Sequence, residues 1–184
     1  MERPPPGLYR LDHSATLLRI FTFKAPSLAA VVAHDLEFHC RDVTGELRLD
    51  TDGGDFEARA QLWAMCTRDG LLNRIEWAEC QRLMRKKVLK TEARAVATLR
   101  GSLTWPQAEA PPLLQATLQI FGGPSREILL PCQEAQVHGS TLQVSASFEF
   151  LQSDYGIKPF EHMFGMFKLK DEMRFIVESR WHRV

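Results

Sequence analysis

The feature that most constrains this chain is strict alternation of apolar and polar residues in its last third. Leu142, Val144, Ala146, Phe148 and Phe150 are apolar, and the intervening Gln143, Ser145, Ser147 and Glu149 are polar. Successive side chains of a β-strand point to opposite faces, so this spacing predicts a half-buried strand. Glu172 to Arg180 repeats the pattern. Met173, Phe175, Val177 and Ser179 fall on one face, Arg174, Glu178 and Arg180 on the other, with Ile176 the one apolar residue facing outward.

The same period returns upstream. Gly7 to His13 reads as a short strand and Ala15 to Lys24 as a second, with apolar residues on both of its faces. His34 to Val43 alternates with Leu36 and Phe38 inward, and Glu46 to Asp50 continues beyond a bulge or turn at Thr44-Gly45. Thr51 to Asp55 is a hairpin turn. Phe56 to Cys66 sets the small residues Ala58, Ala60 and Ala64 beside Phe56 and Leu62 on one side. Thr91 to Arg100, Leu114 to Ile120, Ser125 to Leu130 and Ala135 to Ser140 add further strands. Leu28 to Ala33 fits a helical turn or a buried strand equally. Only Glu76 to Lys90 has a helical period, with Met84 and Val88 a turn apart and Leu83 and Leu89 widening the apolar stripe.

About eight to ten short strands separated by regular turn signals predict a mainly β, antiparallel sandwich or barrel. Closing the sheet into a barrel of about eight strands, with one or two short helices, removes its exposed edges. At 184 residues the chain is long enough for one well-cored domain. The expected organisation is a flexible Pro-rich tail over 1–6 and a single domain over 7–184.

Composition narrows the function. The 23 basic and 23 acidic side chains cancel, so the whole chain has no electrostatic footprint for nucleic acid. No apolar run approaches the roughly 18 residues of a membrane-spanning helix. Met1 to Gly7 lacks the apolar core of a signal peptide, so the expected location is the cytoplasm. Cys40, Cys66, Cys80 and Cys132 form no Cys-x-x-Cys pair and are expected as reduced thiols.

Between the two C-terminal strands runs a connection that holds Phe160, Phe164 and Phe167, too apolar for a solvated loop and expected to fold over an apolar surface. It reads Asp154-Tyr155-Gly156-Ile157-Lys158-Pro159, then Gly165-Met166-Phe167-Lys168-Leu169-Lys170-Asp171. That order resembles the YceI-like proteins. Gly7 to Ser14 is similar to the family's first strand, His34-Asp35-Leu36 followed by Gly45 to a form seen in one branch, and Thr117 to Ile128 to one of its hairpins. The resemblance covers nearly the whole chain, although Trp77 to Lys90 is more basic than the family's helical segment and Thr91 to Arg94 replaces its Phe-Pro region. It implies a lipocalin-like barrel that binds an isoprenoid or other long-chain lipid without a cofactor.

On that reading a long tunnel is lined by Phe21, Phe23, Phe38, Leu62, Phe148, Phe150, Phe160, Phe164 and Phe167. Buried apolar area, at about 25 cal/mol per Å² before ordering costs, would supply affinity. Phe160 to Phe167 would close one end, and the helix would lie across another opening. The competing reading is a filled-core barrel in the cytoplasm that binds a protein partner or forms a homodimer. Metal binding is not expected, because His34 and His39 are five apart on a strand and face opposite ways. Nor is catalysis: no nucleophile elbow, phosphate-cradling loop or His-Glu-x-x-His is present, and turn formation accounts for Asp154, Glu161, His162 and Asp171. Arg82, Arg85, Lys86, Lys87 and Lys90 suit an anionic lipid headgroup or a membrane surface, or simply a solvated helix end whose cations complement its dipole.

Overall fold

Alternating strands leave one face to bury and two edges to hide, and this chain hides the edges by joining its first strand to its last. The computed structural model describes residues 3–26, 35–68, 70, 72–89, 95–105, 111–162 and 167–184, with the backbone alone for His162 and Phe167. The strands begin with β1 (Gly7–Leu11), β2 (Leu17–Lys24), β3 (Leu36–Cys40), β4 (Val43–Leu49), β5 (Gly53–Gln61) and β6 (Cys66–Thr67). A helix, α1 (Arg74–Leu83), comes before β7 (Val96–Thr104), β8 (Leu113–Ile120) and β9 (Ser125–His138). Then come β10 (Thr141–Leu151), the short β11 (Glu161–His162) and β12 (Phe167–Arg183).

Strands β1, β4, β5, β7, β8, β9, β10 and β12 form a closed antiparallel barrel of eight. Closure falls where Tyr9, Arg10 and Leu11 pair with Arg183, His182 and Trp181. Only that end of β12 meets β1; from Glu178 back to Leu169 it pairs with β2. The chain bends between β1 and β2 in a 3-10 turn, His13–Ala15, where the Asp12 carboxylate accepts from Ser14 N and Ala15 N. It bends again between β3 and β4 at Arg41-Asp42. As a result β2, β3 and β6 form a flap at one end of the barrel, and among the described residues no strand pairing links β6 to β7.

The helix belongs to that gap. Asn73 caps it, accepting from Ile75 N and Glu76 N at 3.0 Å, while the Glu76 carboxylate accepts from Asn73 N at 2.9 Å. This reciprocal cap starts the helix two residues ahead of the expected Glu76. It widens over Met84–Val88 into a π-helical turn, closed by Leu89 N donating to Met84 O at 2.9 Å. The buried Gln81 amide holds it to the flap, its nitrogen donating to Met65 O and its oxygen accepting from Thr67 N.

Three expectations change. Ser125–Leu130 and Ala135 to His138 are not separate strands but parts of the single 14-residue β9, with Gly139 and Ser140 in the turn that follows. Pro131 sits where β9 changes partner from β8 to β10, a place where a missing N–H interrupts least. Gly45 is no turn: it lies inside β4, where a Cβ would come within 2.9 Å of Glu57 O and 3.0 Å of the Trp181 ring. Residues 3–6, expected as part of a flexible tail, lie against the domain. Pro4 is buried, Pro5 O accepts from the Tyr9 hydroxyl at 2.7 Å, and Arg3 donates to Thr51 O at 3.0 Å.

Two apolar clusters divide the interior. Tyr9, Phe56, Leu103, Trp105, Leu142 and Trp181 fill the end where the ring is closed. The second cluster, with Ile20, Phe38, Leu62, Met84, Ile120 and Phe175, surrounds the split end.

Candidate ligand cavity

The split end holds a cavity of about 550 Å³. Its size lies within the roughly 300–1,000 Å³ of small-molecule sites. Ile20, Thr22, Leu36 and Phe38, from β2 and β3, form one wall. Pairing sets their parity, since Ile20 lies opposite Phe38 and Thr22 opposite Leu36. Phe150 of β10 and Met173 and Phe175 of β12 form a second wall. There Phe150 stacks on Phe175 at 4.7 Å between centroids, and Phe148 packs behind both at 5.6 and 5.3 Å. Buried Tyr155 meets Phe150 edge-on at 5.3 Å.

The third side is helical. Cys80, Leu83, Met84, Val88 and Leu89 turn inward, with Leu62 and Met65 from the turn after β5 beside them. The π-helical turn rotates Val88 and Leu89 onto the face that Met84 begins, so the end of the helix adds wall instead of veering off. Ile157 and Phe160, beyond the left-handed Gly156 (φ 75°), complete the lining with Ile120 and Phe121.

Polar groups are few and mostly occupied. Gln152 donates to Lys170 O at 2.8 Å, and Glu79 pairs with Arg82 at 2.7 Å. Thr22 differs: it is 6% exposed and its hydroxyl has no partner among the described residues, while Lys168, also in the lining, is exposed to solvent. Burial pushes the Cys80 thiol up to about 11. A thiol so protonated is a poor nucleophile.

Of the nine residues expected to line an interior, Phe38, Leu62, Phe150 and Phe160 do so, and Phe148 supports them from behind. Phe21 and Phe23 do not. Strand alternation turns them to the outer face, where Phe21 lies opposite Arg174 and Glu37 and the Arg174 guanidinium sits 5.9 Å from the Phe23 ring centre. Phe164 and the Phe167 side chain lie outside the described residues. The packed cluster around Trp181 and Trp105 contributes no residue to the cavity lining. Sequence reasoning missed Thr22 and Ile20, whose strand is apolar on both faces, and Cys80, expected only as a reduced thiol.

The other candidates lie elsewhere. His34 is outside the described residues, while His39 faces the Glu37 carboxylate at 2.8 Å, and Arg68 donates to that carboxylate at 3.2 Å. Asp171 anchors the connection by accepting from Ser153 N at 2.9 Å. No group of metal-binding side chains occurs among the described residues, and no described helix is long and apolar enough to cross a membrane.

No family model matches the chain, and no curated protein does. Solved structures do. BcnA of Burkholderia cenocepacia aligns over 92% of this chain and 98% of its own at 10% identity, with a TM-score of 0.67. A polyisoprenoid binding domain from Saccharophagus degradans, implicated in plant cell wall breakdown, aligns over 96% and 98% at 14% identity with a TM-score of 0.63. These likenesses and the cavity define a class, the antiparallel barrel closed and packed at one end and split around a cavity at the other. More narrowly, the chain has the YceI-like fold that its sequence resembles: a Campylobacter jejuni YceI protein aligns over 83% and 87% at 11% identity, with a TM-score of 0.57.

Proposed function

We propose that the protein binds a single-chain amphiphilic lipid of the isoprenoid type in the split-end cavity and carries it without transforming it. The observation that carries this reading is the cavity itself, about 550 Å³ with side walls of Leu, Ile, Met and Phe. A chain placed there exchanges water for apolar contact along its length, the main source of affinity for such a ligand. Support also comes from the polyisoprenoid binding domain that shares the fold. Binding without chemistry fits the lining, since among its described residues no carboxylate or thiol is paired with a histidine base.

Native mass spectrometry of protein purified from its own host, followed by solvent extraction, tests the reading. A bound mass that extracts as a hydrocarbon-chain lipid is the expected result. Protein at its bare sequence mass, under conditions that keep lipid complexes intact, overturns it.

A further inference from the structure

The elements that form the cavity mouth also place large apolar side chains in water. Trp63 is 46% exposed, Ile75 82% and Trp77 38%. Trp63 sits between Leu62 and Met65, which both line the cavity, and Ile75 and Trp77 flank Glu76, which lines it as well. Scattered exposed leucines are ordinary, whereas two indoles and an isoleucine, each within two residues of a cavity-lining side chain, are large apolar groups that call for a partner.

Cations share this rim. Arg85, Lys86 and Lys87 are exposed between Met84 and Val88, two more lining residues, and none of the three has an ion pair among the described residues. The acids nearby are already engaged. Glu76 accepts from Asn73 N at the positive end of the helix, and Glu79 is held by Arg82. The chain is neutral as a whole, yet its mouth carries uncompensated positive charge beside amphipathic rings.

We propose that this rim is a docking surface for an anionic lipid bilayer. Trp and Ile side chains settle at the boundary between headgroups and acyl chains, and the three cations meet lipid phosphates. Each cation near an anionic surface strengthens binding about fivefold. Docked this way, the mouth opens against lipid, and a chain can pass between membrane and cavity without crossing water. Docking requires no ligand in the cavity, so it stands or falls apart from the carrier reading.

Co-flotation of the full chain tests it, with vesicles of phosphatidylcholine alone and of equal parts phosphatidylcholine and phosphatidylglycerol. The protein is expected to float with the mixed vesicles at low salt, less at high salt, and little with the neutral ones. Combining R85Q, K86Q and K87Q should weaken this by about a hundredfold. Combining W63S and I75S should weaken it too, and these exposed positions should leave the melting temperature unchanged. No flotation with the mixed vesicles, or flotation that the substitutions leave untouched, overturns the docking surface. The mass measurement above judges the carrier reading separately.

Discussion

Thr22 shows how one strand position sets the chemistry of a wall. Its neighbours Phe21 and Phe23 are the more conspicuous residues, yet they face outward, and Thr22 and Ile20 face the cavity. The sequence carries no phase for this strand, because Leu17 to Phe23 is apolar on both faces and period-2 reasoning needs a polar face to set it. The phase comes from pairing with Phe38, whose own strand alternates with Glu37 and His39. Phe38, Leu62 and Phe150 were legible for that reason. A buried hydroxyl without a partner costs stability, so in lipid-free protein Thr22→Val should raise unfolding free energy by about 1 kcal/mol. Urea denaturation reads this directly; a lower stability would mean that the hydroxyl is paired after all.

Among elements, the helix was legible from its stripe of Leu83, Met84, Val88 and Leu89, whereas its start at the Asn73 cap was not read. Its position was not legible, since nothing in a helical period says that β6 and β7 fail to pair and leave a gap to fill. The 14-residue β9 was hidden in the same way, by a Pro131 that reads locally as a strand end. Asn73→Ala removes the cap and should cost about 1 kcal/mol. If the helix opens as a unit, alkylation of Cys80, a thiol raised to about 11 by burial, should speed up about fivefold at fixed pH. Buried Cys132, raised to about 12 and part of the packed closed-end cluster, serves as the internal reference. Equal rates in both proteins, followed by mass spectrometry, would mean that the helix does not open from this end.

For the whole molecule, closure rests on a short seam of Tyr9 to Leu11 against Trp181 to Arg183. Tyr9 to Leu11 was read as strand and the last strand only as far as Arg180, and their meeting was not legible, because they stand at opposite ends of the sequence. Asp12 finishes the seam: its N–H donates to Arg180 O at 2.8 Å, and its carboxylate accepts from Ser14 and lies 3.3 Å from His182 Nε2. The Ser14 hydroxyl, together with His182 and the Ser14 and Ala15 amides, lowers the Asp12 carboxyl from 3.8 to about 2. A lowered pKa stabilises the fold above the unfolded value of 3.8, and the contribution is lost as pH falls from there through about 2. Melting temperatures followed by circular dichroism should therefore drop across that window in the natural sequence and drop less in Asp12→Asn. Identical slopes would show that the seam does not sense acid through this residue.

The packed end has a consequence for any chain the barrel holds. A vessel with a floor is a gauge, and a pipe is not. On the carrier reading, a guest would slide in toward the cluster that holds Trp105 and Trp181, and every unit beyond the cavity's depth would be left standing outside in water. Each added unit would tighten the grip only until the depth is used up, after which further length would gain nothing. Selection by length would then follow from how far one end of the barrel is filled, with no residue at the mouth having to recognise the chain at all.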